Sequence, residues 1–186
     1  MQTDLFPTDR HDAGGRVKSA LPSGLKGDAV FYGERDEYRP LLRRWIGDEF
    51  PSRYVLFVGM NPSVAEAQIQ DPTIVREWGF ASRWGYDGYV KCNIADYRAT
   101  FPKDLLVPGI TPSSTVNLPT IFYQALAADL VVICHGKLNR VLEPIGREVV
   151  SNLRDLGIEL KCLGKTKDGF PRHPLYLRSD TPLMDY

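Results

Sequence analysis

The sequence predicts a three-layer α/β/α sandwich with a mainly parallel central sheet. Short runs nearly continuous in Val, Ile and Leu alternate along the chain with stretches of helical spacing. A strand buried on both faces reads as such an uninterrupted apolar run, and strand–helix alternation is the signature of a sheet covered by helices. The 186 residues suit one domain, and 43% hydrophobic with 25% charged residues is ordinary for a globular chain.

Residues 1–27 carry Pro7, Gly14, Gly15, Pro22 and Gly24 among charges without periodicity, and predict an irregular N-terminal arm. Residues 28–186 form the predicted single domain. Its first strand is Asp28 to Tyr32, and Leu41, Leu42, Trp45 and Ile46 predict a helix over Tyr38 to Phe50. Tyr54 to Val58 is an apolar run ending at Gly59, the clearest buried strand. Asp71-Pro72-Thr73 opens a helix, with Asp as cap and Pro at the first helical position. That helix runs to about Trp84, and Gly85 stops it. Tyr89 to Ile94 is a strand, and Leu105 to Pro119 is a loop punctuated by Pro108, Gly109 and Pro112. Thr120 to Ala128 reads as a helix, Asp129 to Cys134 as a strand ending in His135-Gly136. Leu142 to Leu156 is a helix closed by Gly157, and Glu159 to Leu163 is the last strand before a loop carrying His173.

Lys plus Arg (23) balances Asp plus Glu (23). A protein attracted to DNA by bulk charge would be basic, so any nucleic-acid contact must come from a local patch or a pocket for a small group. Cys92, Cys134 and Cys162 are isolated in apolar surroundings and form no C-x-x-C pair. They read as buried hydrophobes rather than as metal ligands or disulfides. Reduced cysteines and the absence of a signal-peptide pattern predict a cytoplasmic protein. No apolar run approaches the roughly 20 residues of a membrane span, so no membrane partner is expected. The chain has no dinucleotide or phosphate-binding glycine motif, and His11, His135 and His173 are scattered, so neither cofactor nor metal is expected. Nothing in the sequence sets an oligomeric state.

In sheets of this kind ligands bind beyond the carboxyl ends of the strands. Four polar segments fall there: Gly59-Met60-Asn61-Pro62-Ser63, Asn93 with Asp96 and Arg98, His135-Gly136, and Arg172-His173-Pro174. Gly59 lets the backbone turn sharply, Asn61 offers a donor and an acceptor, and Pro62 stiffens the turn that holds it. Each piece also has a plainer reading. Asn-Pro turns end many strands, and a loop histidine need have no task. Asp71 can be only a helix cap, and Arg98 only half of an ion pair. Trp45, Trp78 and Trp84 read as packing residues.

The order G-M-N-P-S, then a strand-ending Asn, then H-G, then R-H-P resembles the motif order of the uracil-DNA glycosylase superfamily. The resemblance covers roughly Tyr54 to Leu177. Met60-Asn61-Pro62-Ser63, Asp71-Pro72-Thr73 and the stretch Lys167 to Leu177 are also similar to a prokaryotic and phage family, DUF1643, defined without an established activity. The superfamily resemblance implies that Asn61 positions a water, that Asn93 reads the base edge and that His173 stabilises the departing base. Gly59, Pro62 and Ser63 belong to the matching first loop, and by placement Met60 can stack on the base, His135 line the pocket, and Arg98 and Arg172 contact a phosphate. Asn61 stands where the most efficient uracil-specific members carry Asp, and an amide cannot act as a general base. Asp71, in the segment that follows, is the carboxylate expected to supply that function.

The expected function is therefore an N-glycosylase-like hydrolase whose partner is a base in nucleic acid or in a free nucleoside or nucleotide. The alternatives are a non-catalytic nucleotide or single-strand-binding module with the same pocket, and another enzyme of modified-base metabolism.

Overall fold

A computed structural model describes residues 18–186. The first seventeen residues of the expected arm lie outside the described residues; of the rest, Ser19–Ala20 (β1) pairs antiparallel with Ile69–Gln70 (β5), and Leu25 already begins β2 (Leu25–Tyr32). The remaining strands are β3 (Tyr38–Ile46), β4 (Val55–Gly59), β6 (Gly88–Asn93), β7 (Leu130–Ile133), β8 (Leu160–Cys162) and β9 (Met184–Asp185). The helices are α1 (Pro72–Arg83), α2 (Asn117–Ala127) and α3 (Leu142–Asp155).

Seven strands form one mixed sheet in the order β2-β3-β6-β4-β7-β8-β9. The expected mainly parallel sheet is corrected here. Only β6, β4, β7 and β8 run parallel, while β2, β3 and β9 join antiparallel at the flanks. The connections explain this. A parallel neighbour needs a crossover that carries the chain back to the same end of the sheet. Helices supply it between β4, β6, β7 and β8, whereas β2 and β3 are joined by a tight turn and β9 follows β8 without a helix.

The predicted helix over Tyr38 to Phe50 is also corrected: the segment is β3, paired on both sides. Leu41 and Leu42 are adjacent in sequence yet join different cores. Only the period-2 geometry of a strand sends neighbours to opposite faces. The pattern 41, 42, 45, 46 fits both periods, so tertiary pairing decided between them. Elsewhere the expected elements fall within a few residues of their places, while the two-residue strands β1, β5 and β9 have no counterpart in the sequence reading. Both β2 and α2 begin earlier than expected, at Leu25 and Asn117, and α2 takes Pro119 into its first turn, where a missing N–H is tolerated.

Right-handed crossovers place the helices. The chain moves from β4 to β6 in one direction through α1, then back past β4 to β7 through α2 and on to β8 through α3. Reversal of direction puts α1 on one face and α2 with α3 on the other. Accordingly, Leu56, Val58, Val90 and Ile133 pack with Ile121, Ala125, Val149 and Leu153. Val55, Phe57, Tyr89 and Val132 pack with Ile74, Phe80 and Ala81 of α1. Among the described residues no helix is long and apolar enough to cross a membrane. The switch of direction at β4 opens a crevice at the carboxyl ends of β4, β6 and β7, the usual ligand position in an open α/β sheet.

Candidate functional site

The loops leaving β4 and β6 are laced together. Ile94, Ala95 and Ala99 donate backbone N–H groups to the carbonyls of Gly59, Met60 and Pro62 at 2.9, 2.9 and 2.8 Å. Within this frame the Asn61 Nδ2 donates to the carbonyls of Ala99 and Pro62, at 2.5 and 3.1 Å. Both donor hydrogens are thereby occupied, and the Asn61 Oδ1 is left as an acceptor at the pocket wall. Ser63 Oγ and Thr100 Oγ1 lie 3.0 Å apart and tie the same two loops.

Lys91 and Asn93 share one face of β6, two residues apart. Neither Nδ2 nor Oδ1 of Asn93 has a partner among the described residues, although the residue is only 1% exposed. Its backbone carbonyl accepts from Asn117 Nδ2 at 3.1 Å, so the strand end is held while the amide faces the pocket. Gly59 is required beside them. A Cβ there would lie 2.4 Å from Lys91 Nζ and 2.7 Å from Asn93 Oδ1. Both side chains occupy the space that glycine vacates.

Lys91 is paired with Glu77 of α1, and both side chains are buried. Burial raises the Glu77 carboxyl above its ordinary value, and the neighbouring ammonium opposes the rise. Burial alone would pull Lys91 down, but the ion pair with Glu77 outweighs it and holds the amine above its usual value. Lys91 is thus a cation at neutral pH. Arg39, also buried and lining the pocket, donates through Nη1 to the Ala65 carbonyl; burial pushes its guanidinium down to about 10, still charged at pH 7.

The two histidines present opposite atoms. His135, at the end of β7, has Nδ1 2.7 Å from the Gly136 carbonyl. Burial pushes its pKa down to about 4, so the ring is neutral, Nδ1 is the donor and Nε2 carries the lone pair. His173 Nδ1 accepts the Leu175 N–H at 3.3 Å. Burial, aided by the Lys91 charge, pushes His173 down to about 4 as well. The neutral ring therefore carries its proton on Nε2, ready to donate. Its loop is built as a closed excursion: Thr166 donates to Phe170 and Arg172 to Gly164 at 2.8 and 2.9 Å. The following turn, Pro174–Tyr176, docks on α1 through Arg76 Nη2, which donates to the Leu177 carbonyl.

Asp71 caps α1 as expected, its Oδ1 accepting the Ile74 N–H at 3.0 Å, and it also faces the pocket. Met60, Asn61, Ser63, Asp71, Asn93, His135 and His173 all line this one cavity of about 380 Å³, large enough for a nucleobase with part of its sugar. Gly59 and Pro62 lie in its supporting backbone rather than on its wall. Two expected binding residues are elsewhere. Arg98 is buried, pairs with Glu66 at 2.7 Å and donates to the Asp36 carbonyl at 3.0 Å. Asp96 does not anchor it, but instead accepts from Ser114 N–H and Oγ–H at 2.7 and 2.5 Å. Arg172 is exposed and does not line the cavity.

Sequence reasoning missed Lys91, Glu77 and Arg39. A signal was present for the pair: Lys91 interrupts an otherwise apolar buried strand, and Glu77 sits between Ile74 and Phe80 on the core stripe of α1. At the mouth, Leu175 and Tyr176 are 37% and 80% exposed, and the Tyr176 ring lies 5.7 Å from that of His173.

A family model described as a protein of unknown function, DUF1643, matches residues 39–175. The chain belongs to this family. The matched span begins at Arg39 and ends at Leu175, so it takes in the whole wall of the DUF1643 pocket except Tyr176. No curated protein and no solved structure matches the chain significantly.

Proposed function

We propose that this DUF1643 protein is an N-glycosylase-like hydrolase with a uracil-DNA glycosylase-like arrangement, acting on a base in DNA or in a free nucleoside or nucleotide. The observation that carries the reading is the buried Asn93 amide, which has no partner among the described residues and lines the cavity. Leaving such an amide unpaired costs about 1–3 kcal/mol. A planar edge offering one donor and one acceptor satisfies both of its groups at once.

The remaining roles follow from the free atoms. Asn61 Oδ1 accepts a hydrogen bond from a water and aims its oxygen at the sugar carbon. As the C1′–N bond breaks, its electron pair goes to the base nitrogen and the sugar becomes oxocarbenium-like. The water oxygen bonds to C1′, and its proton passes to the carboxylate of Asp71. The Nε2–H of His173 donates to the negative charge developing on the base. A neutral donor suits this task, since it stabilises the charge without first giving up its proton. Leu175 and Tyr176 at the mouth are placed to contact the neighbouring bases once a nucleotide has turned out of its stack.

The test is release of free base from single- and double-stranded oligonucleotides and modified nucleotides, with wild type beside His173→Ala. Release that falls at least a hundredfold in the variant supports the reading. Saturable binding without release, lost in His173→Ala, would replace it with a non-catalytic nucleotide or single-strand-binding module. That second reading is favoured by the amide of Asn61 and by the balanced charge of the chain.

A further inference from the structure

We infer that Lys91 is a ligand-binding cation at the floor of the pocket, selecting a heterocycle whose carbonyl oxygen carries negative charge. The inference rests on reading the cavity as a base-binding site, but not on cleavage.

The ammonium has three N–H donors. One serves Glu77, and a second meets only the Cys134 sulfur at 3.8 Å. The third has no protein partner among the described residues, and Lys91 lines the cavity beside the unpartnered Asn93 amide. A buried ion pair is a weak device for stability, since a well-packed neutral pair serves as well. This one also leaves Glu77 Oε2 without a partner, so the carboxylate is not there to complete its own hydrogen bonding. It holds the Lys91 charge in place. The Gly59 position adds to the case, because its missing side chain is what lets Lys91 and Asn93 reach the same space.

Lys91 is a buried cationic donor on the pocket wall beside Asn93. His135 and His173 are neutral, Cys134 is a buried thiol, and Asp71 is an acceptor on the wall with Oδ1 on the Ile74 N–H. Arg39 is a second buried cation on the wall, its Nη1 bonded to the Ala65 carbonyl and its Nε without a partner among the described residues. An ammonium donates only, so an exocyclic amine directed at it would leave both groups unsatisfied. An oxo group satisfies it, and an oxyanion does so more strongly through a charge-assisted hydrogen bond. Together Asn93 and Lys91 read an oxo edge and its charge.

The experiment is calorimetric titration of the protein with two free heterocycles at pH 7. Barbiturate is an oxopyrimidine that is anionic there, and uracil is neutral. Wild type is expected to bind barbiturate about tenfold more tightly than uracil. Lys91→Met alone strands a buried carboxylate, so the double variant Lys91→Met with Glu77→Gln is used to keep the floor neutral and folded. It is expected to bind the two heterocycles equally. Glu77→Gln alone removes the counter-charge that opposes burial of the ammonium, and is expected to narrow the preference for barbiturate. Equal binding of the two heterocycles by wild type, or a preference unchanged in the double variant, overturns the role of Lys91 while leaving a base pocket intact. Binding of neither overturns both readings.

Discussion

Asp71 meets Ile74 at the pocket's edge: its Oδ1 accepts the Ile74 N–H at 3.0 Å and closes the first turn of α1, while the same residue faces the cavity. Cap and base are compatible, because one carboxylate oxygen suffices for the cap. The two tasks separate on substitution. Asn caps a helix about as well as Asp, so Asp71→Asn is expected to keep stability within about 0.5 kcal/mol and to abolish base release. Asp71→Ala loses the cap too, at about 1 kcal/mol. Urea denaturation beside the release assay reads both. Full release by Asp71→Asn would remove Asp71 from the mechanism.

Gly59 is the tightest point of the site. Its Cβ would meet Lys91 Nζ and Asn93 Oδ1, both below normal contact distance. Gly59→Ala is expected to destabilise by about 1–3 kcal/mol and to lose heterocycle binding even where the protein remains folded. Wild-type affinity in a folded Gly59→Ala protein would show that Lys91 and Asn93 do not converge as described.

Arg76 ties the His173 turn to α1 through the Leu177 carbonyl. Arg76→Met keeps the apolar stem and removes the donor. The expected loss of stability is about 1 kcal/mol, with faster amide exchange confined to residues 173–177 and slower base release. Exchange-detected mass spectrometry checks this directly. Unchanged protection at Leu177 would mean the turn is held by its apolar contacts alone.

The two histidines make the fold acid-sensitive in a defined window. Both have folded values of about 4, below the ordinary 6.5, because burial disfavours their charge. Between those values the unfolded chain binds protons that the folded chain refuses, so stability is complete above pH 6.5 and falls as pH drops toward 4. His135, at 2% exposure, contributes roughly 3 kcal/mol of this loss. Chemical denaturation at pH 7.5 and 4.5 should show a shallower decline for His135→Gln than for wild type. Equal declines would mean that His135 is protonated in the folded state.

Most of the fold was legible locally. Val55 to Gly59 could be nothing but a buried strand, Asp71-Pro72 started α1 where expected, and Gly85 and Gly157 ended their helices. The polar ends of β4, β6 and β7 and the His173 loop were likewise readable, since polar residues after apolar runs stand out. Those segments meet at one cavity. The failures share a cause. Tyr38 to Ile46 has apolar spacing compatible with two periods, and Arg98 reads equally as a substrate contact or as half of an ion pair until Glu66 is found beside it, 32 residues away.

What the amino-acid order determined by itself was the central strands, the three helices and the polar groups at their ends, because hydrophobic period, caps and turns act over a few residues. The tertiary structure alone decided that β3 is a strand, that the sheet is mixed, and that Lys91, Glu77 and Asn93 meet under Gly59. Such choices depend on which distant segment supplies the neighbouring hydrogen bonds and counter-charges. A buried lysine announces only that a partner exists, and Glu77 becomes that partner because α1 crosses over the sheet to lie against β6.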